Sequence, residues 1–168
     1  VMFDEQWHQG VIGIVAGRLK EQFYRPSLVF APDEDGIHIK GSARSIDGIH
    51  IRDMIESVAE QRPDLLSHFG GHAAAAGLTL RKEHFDEFKS VFTQMIAEMD
   101  SDLFQATLWT DGELGDSALH LSSLDWIEQL GPWGQKFPLP QFEGRFQVVD
   151  YRWLKDQHLK LKLAVGSH

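Results

Sequence analysis

Two hydrophobic rhythms alternate along the first hundred residues of this chain, one with a period of three to four and one with a period of two. From Gly10 to Tyr24, Val11, Ile12, Val15, Leu19 and Phe23 recur at spacings of three and four, which predicts a helix with one buried face. Arg25-Pro26 closes it, because a residue before proline is pushed out of the helical region. Residues 27–30 then predict a short buried strand, Asp33-Glu34-Asp35-Gly36 a turn, and Ile37-His38-Ile39-Lys40 a second, alternating strand. Residues 51–61 read as a helix carrying Ile51, Ile55 and Val58 on one side, and residues 74–80 fit a third strand. The clearest helix covers residues 83–99, where Phe85, Phe88, Phe92, Met95, Ile96 and Met99 form one stripe and Asp86, Glu87, Lys89 and Glu98 lie off it. Such a stripe is core rather than a binding surface. Helices alternating with short strands predict a layered α/β domain over residues 1–102, with a mixed sheet and flanking helices.

Beyond residue 102 the pattern turns mostly β. Residues 105–114 predict a strand, 121–130 a short helix with Ser122 or Ser123 near its N-cap, and 131–140 a rigid loop. Residues 142–154 and 158–165 predict two strands joined by a turn at Lys155-Asp156-Gln157. A small closed barrel needs about five strands, so residues 103–168 are expected to be a partial β-barrel, incomplete at the C-terminus.

Composition narrows the classes. The chain has no cysteine, which removes disulfides, thiolate nucleophiles and zinc–cysteine sites. No apolar run approaches the roughly 20 residues that span a bilayer, and the start lacks a basic, signal-type segment, so a cytoplasmic protein without membrane contact is expected. Val1 ahead of Met2 suggests an internal or engineered beginning. The net charge of −9 is unevenly spread: residues 1–135 hold 10 Lys/Arg against 22 Asp/Glu, whereas residues 136–168 hold 6 against 3. Local charge governs phosphate contact, so the basic tail can face a polyanion, or be no more than a solvated strand face.

Three short segments carry candidate chemistry. In Gly70-Gly71-His72-Ala73-Ala74-Ala75-Ala76-Gly77, paired glycines permit positive φ and close backbone approach, and exposed amides in such a turn form an anion-binding concavity. His72 beside it can donate to a phosphate oxygen; a tight turn into an Ala-rich buried strand is the plainer alternative. Gly41-Ser42-Ala43-Arg44-Ser45 is expected to be a loop beyond a strand end, where α/β sheets place ligands. Arg44 offers a planar fork matched to phosphate and Ser42 a hydroxyl, against the alternative of an ordinary polar turn. Trp7-His8-Gln9-Gly10 precedes the first helix, so His8 either approaches an anion at the helix N-terminus or serves helix entry. The nine histidines are scattered, and no Asp-His-His run, H-E-x-x-H motif or P-loop occurs. Nothing here predicts a metal bound by this chain alone.

Taken together and in order, these segments resemble the RecJ family of the DHH phosphoesterase superfamily. Trp7–Ala16 running to Arg25-Pro26 looks like the opening helix of its DHH-associated domain, Gly41–Ser45 resembles its phosphate-contacting loop, and Gly70-Gly71-His72 with Ala75-Ala76-Gly77 is similar to its glycine–histidine signature. The segment from Gly131-Pro132-Trp133-Gly134-Gln135-Lys136-Phe137 to Phe142 looks like the loop feeding its oligonucleotide-binding (OB) fold, although Gln135-Lys136 departs from the Gly-Asn type common there.

The resemblance implies the substrate-binding part of a single-strand-specific 5′→3′ DNA exonuclease of recombination and repair. A separate N-terminal domain would hold Mn2+ or Mg2+ and hydrolyse the phosphodiester; this chain would bind no metal and be inactive alone. It implies that Ser42 and Arg44 bind the 5′-phosphate and that Gly70, Gly71 and His72 line the substrate path, with His72 as possible support for catalysis. His8, Trp133 and Lys136 are further candidates, and Trp133, Phe137, Phe142 and Trp153 are candidate stacking residues. Single-stranded DNA with a 5′ end is the implied partner, with single-stranded-DNA-binding protein as a second. An oligoribonuclease or cyclic-dinucleotide phosphodiesterase of the same superfamily and a protein-docking module remain open.

Overall fold

The structure, a computed structural model, describes residues 1–134 and 137–165. It divides into two compact units, Val1–Ala106 and Thr107–His168.

In the first unit the chain runs β1 (Met2–Phe3), α1 (Gln9–Phe23), β2 (Ser27–Pro32), β3 (His38–Arg44), α2 (Ile51–Gln61), β4 (His68–Gly71), β5 (Ala75–Arg81) and α3 (Phe85–Ala97). The strands form one mixed sheet in the order β1-β2-β3-β5-β4, with β1 parallel to β2 and every other pair antiparallel. Side chains alternate across this sheet. Leu28, Phe30, Ile39, Ala43, Leu78 and Leu80 point to the face that packs on α2 and α3, where Ile51, Ile55, Val58, Phe88 and Phe92 complete the main core. Edge-on and tilted ring contacts of 5.5–5.7 Å join Phe3, Phe30, Phe85 and Phe88, and the phenylalanine stripe is core as expected. Val29 and Ala31 face the other way, onto Ile12 and Ala16 of α1.

Two expectations change here. β3 extends beyond Lys40 to Arg44, because β2 pairs it on one side and β5 on the other along its whole length. Gly41–Arg44 is therefore strand, not loop. Gly70 and Gly71 end an edge strand, β4, instead of forming an open turn. The two-residue β1 and the four-residue β4 were too short to leave a period in the sequence.

The second unit contains a short helix, α4 (Leu121–Gln129), and an antiparallel hairpin of β6 (Gln147–Leu154) and β7 (His158–Ala164). α4 starts after His120, with no side-chain cap, so Ser122 and Ser123 lie inside the helix. The strand expected over residues 105–114 does not form. Gly112 turns the chain with φ +90°, and Glu113 forms an isolated bridge to Glu143 instead of a strand ladder. The strand expected from residue 142 begins only at Gln147, since Glu143 instead donates its amide to Gly112 O at 3.1 Å. Lys155 and Asp156, both with left-handed backbone, make the hairpin turn. Among the described residues of this unit the sheet has two strands and no closed barrel.

Candidate functional site

Helix α1 covers only part of its side of the sheet, which leaves a strip of β5 and β4 open on that face. Three backbones meet there in register: Ser42 pairs with Gly77, and Gly77 with Gly70. Adjacent strands lie about 4.8 Å apart, so this lane from Ser42 to Gly70 is about 10 Å wide. Gly70 and Gly77 are exposed. A Cβ on Gly70 would meet nothing within 4 Å, and one on Gly77 only Gly41 O at 3.9 Å. Neither glycine is needed for packing, and both leave bare backbone facing solvent.

Arg44 stands at the end of this lane, half-buried, and pairs with Ala75. Its Nη1 donates to Ser42 Oγ at 3.0 Å and to Ala43 O at 2.9 Å, so both bonds fix one nitrogen of the fork. Among the described residues no carboxylate lies within 4.0 Å of this guanidinium, unlike Arg52, Arg62 and Arg81, which pair with acids. A positioned, un-neutralised guanidinium with spare donors suits a bidentate anion.

The β4–β5 connection brings His72 to the same end. His72 N–H donates to Ala75 O at 2.8 Å, and Ala75 is the partner of Arg44. The tip is pinned from below: Ser45 N–H donates to Ala74 O and Ile51 N–H to Ala73 O, each at 3.0 Å, while buried Ser45 Oγ donates to Ile49 O at 2.7 Å. The His72 amide, one of those expected to face an anion, is thus occupied; the exposed imidazole remains. Gly71, with φ +146°, has an internal role: a Cβ there would stand 2.4 Å from Ala75 O and 2.5 Å from Ala76 Cα.

Ser42, Arg44, Gly70, Gly71 and His72 are therefore brought to one end of one sheet. His8 is not. Its Nδ1 accepts from Gly10 N–H at 3.0 Å as the cap of α1, and Gln9 donates to Pro32 O at 2.9 Å, at the end of β2 opposite the Ser27–Arg44 pair. His50 caps α2 in the same way, and His38 pairs with Asp35 at 2.6 Å, so three histidines serve structure. Gly77 and Ser45 lay inside the segments read from sequence without a role of their own, and Gly13, which lies in α1 directly against Arg44 and Ser42, was given none either. A glycine inside an otherwise periodic helix was the one available signal for the last.

In the second unit Trp133 stacks on Phe137 with centroids 4.7 Å apart, after a cis Gly131–Pro132 bond, and Gly134 and Phe137 exchange backbone hydrogen bonds. Trp133 packs on its own loop, and Lys136 lies outside the described residues. The β6–β7 hairpin is two-faced. Val148, Tyr151 and Trp153 oppose Leu163, Leu161 and Leu159, whereas Arg152 opposes Lys160 and Asp150 opposes Lys162, with a bulge between Val148 and Asp150.

Residues 1–98, which hold the five-stranded mixed sheet and its glycine-lined open strip, match the DHHA1 domain family, and the chain belongs to that family. Residues 110–168 match the RecJ OB domain. The relatives the chain matches include proteins named single-stranded-DNA-specific exonuclease RecJ. The chain is 46% identical to that of Haemophilus influenzae over 165 residues and 47% identical to that of Dickeya dadantii over 161, and it spans 28% of the length of each. A crystal structure of RecJ from Thermus thermophilus in complex with Mg2+ superimposes on 96% of this chain with a TM-score of 0.75 and 29% identity, over 24% of that protein. A second, with Mn2+, gives a TM-score of 0.72.

Among the described residues no three His, Asp or Glu side chains come together as ligands. No helix among them is long and apolar enough to cross a membrane.

Proposed function

We propose that this chain is the substrate-binding portion of a metal-dependent exonuclease that degrades single-stranded DNA 5′→3′ in recombination and repair, in the cytoplasm. Residues 1–102 are the DHH-associated part that holds the 5′-terminal phosphate, and residues 103–168 the OB part that guides the strand. Mn2+ or Mg2+ belongs to a separate N-terminal DHH domain of the longer protein, and this chain alone does not hydrolyse DNA.

The observation that carries the reading is Arg44: half-buried, held on one nitrogen by Ser42 and Ala43, unopposed by any described carboxylate, and placed at the end of a bare backbone lane. In this reading Arg44 and Ser42 grip the terminal phosphoryl group, and the exposed His72 ring supplies a further donor. Gly70 and Gly77 let the first nucleotide lie against the main chain. Gly71 acts indirectly, by shaping the hairpin that presents His72. The basic face of the β6–β7 hairpin, with Arg152, Lys160 and Lys162, follows the phosphates. The OB match over residues 110–168 favours this reading over a short-substrate phosphodiesterase of the superfamily, whose members usually lack that segment. Single-stranded-DNA-binding protein is proposed as a partner on the family resemblance alone.

The test is Arg44→Ala, measured as binding of one single-stranded oligonucleotide carrying either a 5′-phosphate or a 5′-hydroxyl. Charge-assisted hydrogen bonds of about 1.5–3 kcal/mol predict that the preference for the phosphorylated end falls by about tenfold to a hundredfold. An unchanged preference removes Arg44 from the site.

A further inference from the structure

Helix α1 contains two interior glycines with different surroundings. A Cβ on Gly17 would meet nothing within 4 Å, whereas a Cβ on Gly13 would stand 3.1 Å from Arg44 Nη2 and 3.3 Å from Ser42 Oγ. Within 4 Å it would touch only those two side chains. Both are the phosphate-gripping groups of the reading above. Glycine in a helix interior is destabilising relative to alanine, so its presence at 13 calls for a cause. The backbone supplies none, since Gly13 lies within the helical run Gln9–Phe23 and has no positive φ.

We propose that Gly13 is a positioning residue for Arg44: by carrying no side chain it lets the guanidinium lie flat against the helix, and so sets the depth and angle at which Nη2 is presented to a terminal phosphoryl group. The inference rests on the proposed role of Arg44. Ser42 and Ala43 tether Nη1 from the strand side, and the helix surface at Gly13 limits Nη2 from the other. A methyl at position 13 forces the guanidinium to give by a few tenths of an ångström. Because the far end of an arginine moves readily, the helix tolerates this while the aim of the fork changes.

The experiment compares Gly13→Ala, Gly13→Val, Gly17→Ala and Arg44→Ala in the full chain, by thermal unfolding and by binding of the 5′-phosphorylated and 5′-hydroxyl oligonucleotide. Gly13→Ala and Gly17→Ala both gain helix propensity and are expected to unfold about 2–6 °C higher. Only Gly13→Ala loses preference for the phosphorylated end, by about threefold to tenfold, and binding of the hydroxyl end stays the same. Gly13→Val loses more. If Gly13→Ala and Gly13→Val keep the preference while Arg44→Ala loses it, the positioning role is overturned and the role of Arg44 stands. An equal loss in Gly17→Ala also overturns it, because the effect then comes from the helix and not from the contact. No loss in Arg44→Ala overturns the underlying reading itself.

Discussion

Gly70 and Gly71 are neighbours in sequence, yet the structure predicts opposite consequences for replacing them with alanine. At Gly71 a Cβ collides with main chain, 2.4 Å from Ala75 O and 2.5 Å from Ala76 Cα, and the φ of +146° is one that side-chain-bearing residues rarely adopt. Backbone strain of this kind costs about 1–3 kcal/mol, and the collision adds to it because neither contact is a flexible side chain. A total loss of about 2–4 kcal/mol follows, or roughly 10–20 °C in Tm for a unit of about a hundred residues. At Gly70 the same methyl enters open space, so stability changes by less than about 0.5 kcal/mol. Gly70→Ala instead obstructs the lane between Ser42 and the β4 edge and lowers single-strand binding by about tenfold. Urea unfolding followed by oligonucleotide titration measures both. In the Gly71→Ala protein, faster amide exchange at His72 and Ser45 would locate the damage at the hairpin tip, whose bonds those amides make. Equal stability of the two variants would refute the reasoning, because it assigns Gly71 to folding and Gly70 to the ligand.

Two further outcomes are expected. Gly41→Ala places a Cβ 2.4 Å from the Phe30 ring and 2.8 Å from Leu78 Cδ2 inside the core, so overpacking should destabilise by about 1–3 kcal/mol; a denaturation midpoint equal to that of the parent would contradict it. Asp35, held by the amide of His38, the His38 ring and the amide of Ile37, has its pKa pulled down to about 2. Its folded pKa lies below the unfolded value of about 3.9, so its stabilisation is complete above that value and disappears as pH falls through about 2. Stability between pH 5 and 2 should therefore fall more steeply in the parent than in Asp35→Asn, and parallel curves would be the contrary result.

Much of the first unit was legible because its longer elements repeat the same local choice many times. The helices around Ile12–Leu19, Ile55–Val58 and Phe85–Phe92 each return an apolar side chain every three or four residues, and all three form. Pairing along the sheet was not legible, since a strand such as His68–Gly71 has four residues, two of them glycine, and no period to read. The second unit was harder still: residues 105–114 can be read as a strand, but a strand needs a regular ladder along its edge, and the main-chain bonds of Asp111 and Gly112 to Gln141 and Glu143 make no more than an isolated bridge.

Residue types alone determined the candidate chemistry: a guanidinium and a hydroxyl two positions apart, an imidazole beside paired glycines, and no cysteine. Tertiary structure decided what each could do. Pairing of β3 with β5 set Arg44 next to the hairpin that carries His72, and α1 crossing the sheet put Gly13 against the guanidinium. The same folding turned His8 into a helix cap, took up the His72 amide, and gave two adjacent glycines different surroundings. Composition and spacing report which groups a chain owns, whereas the neighbour that occupies or frees each group comes from residues distant in sequence.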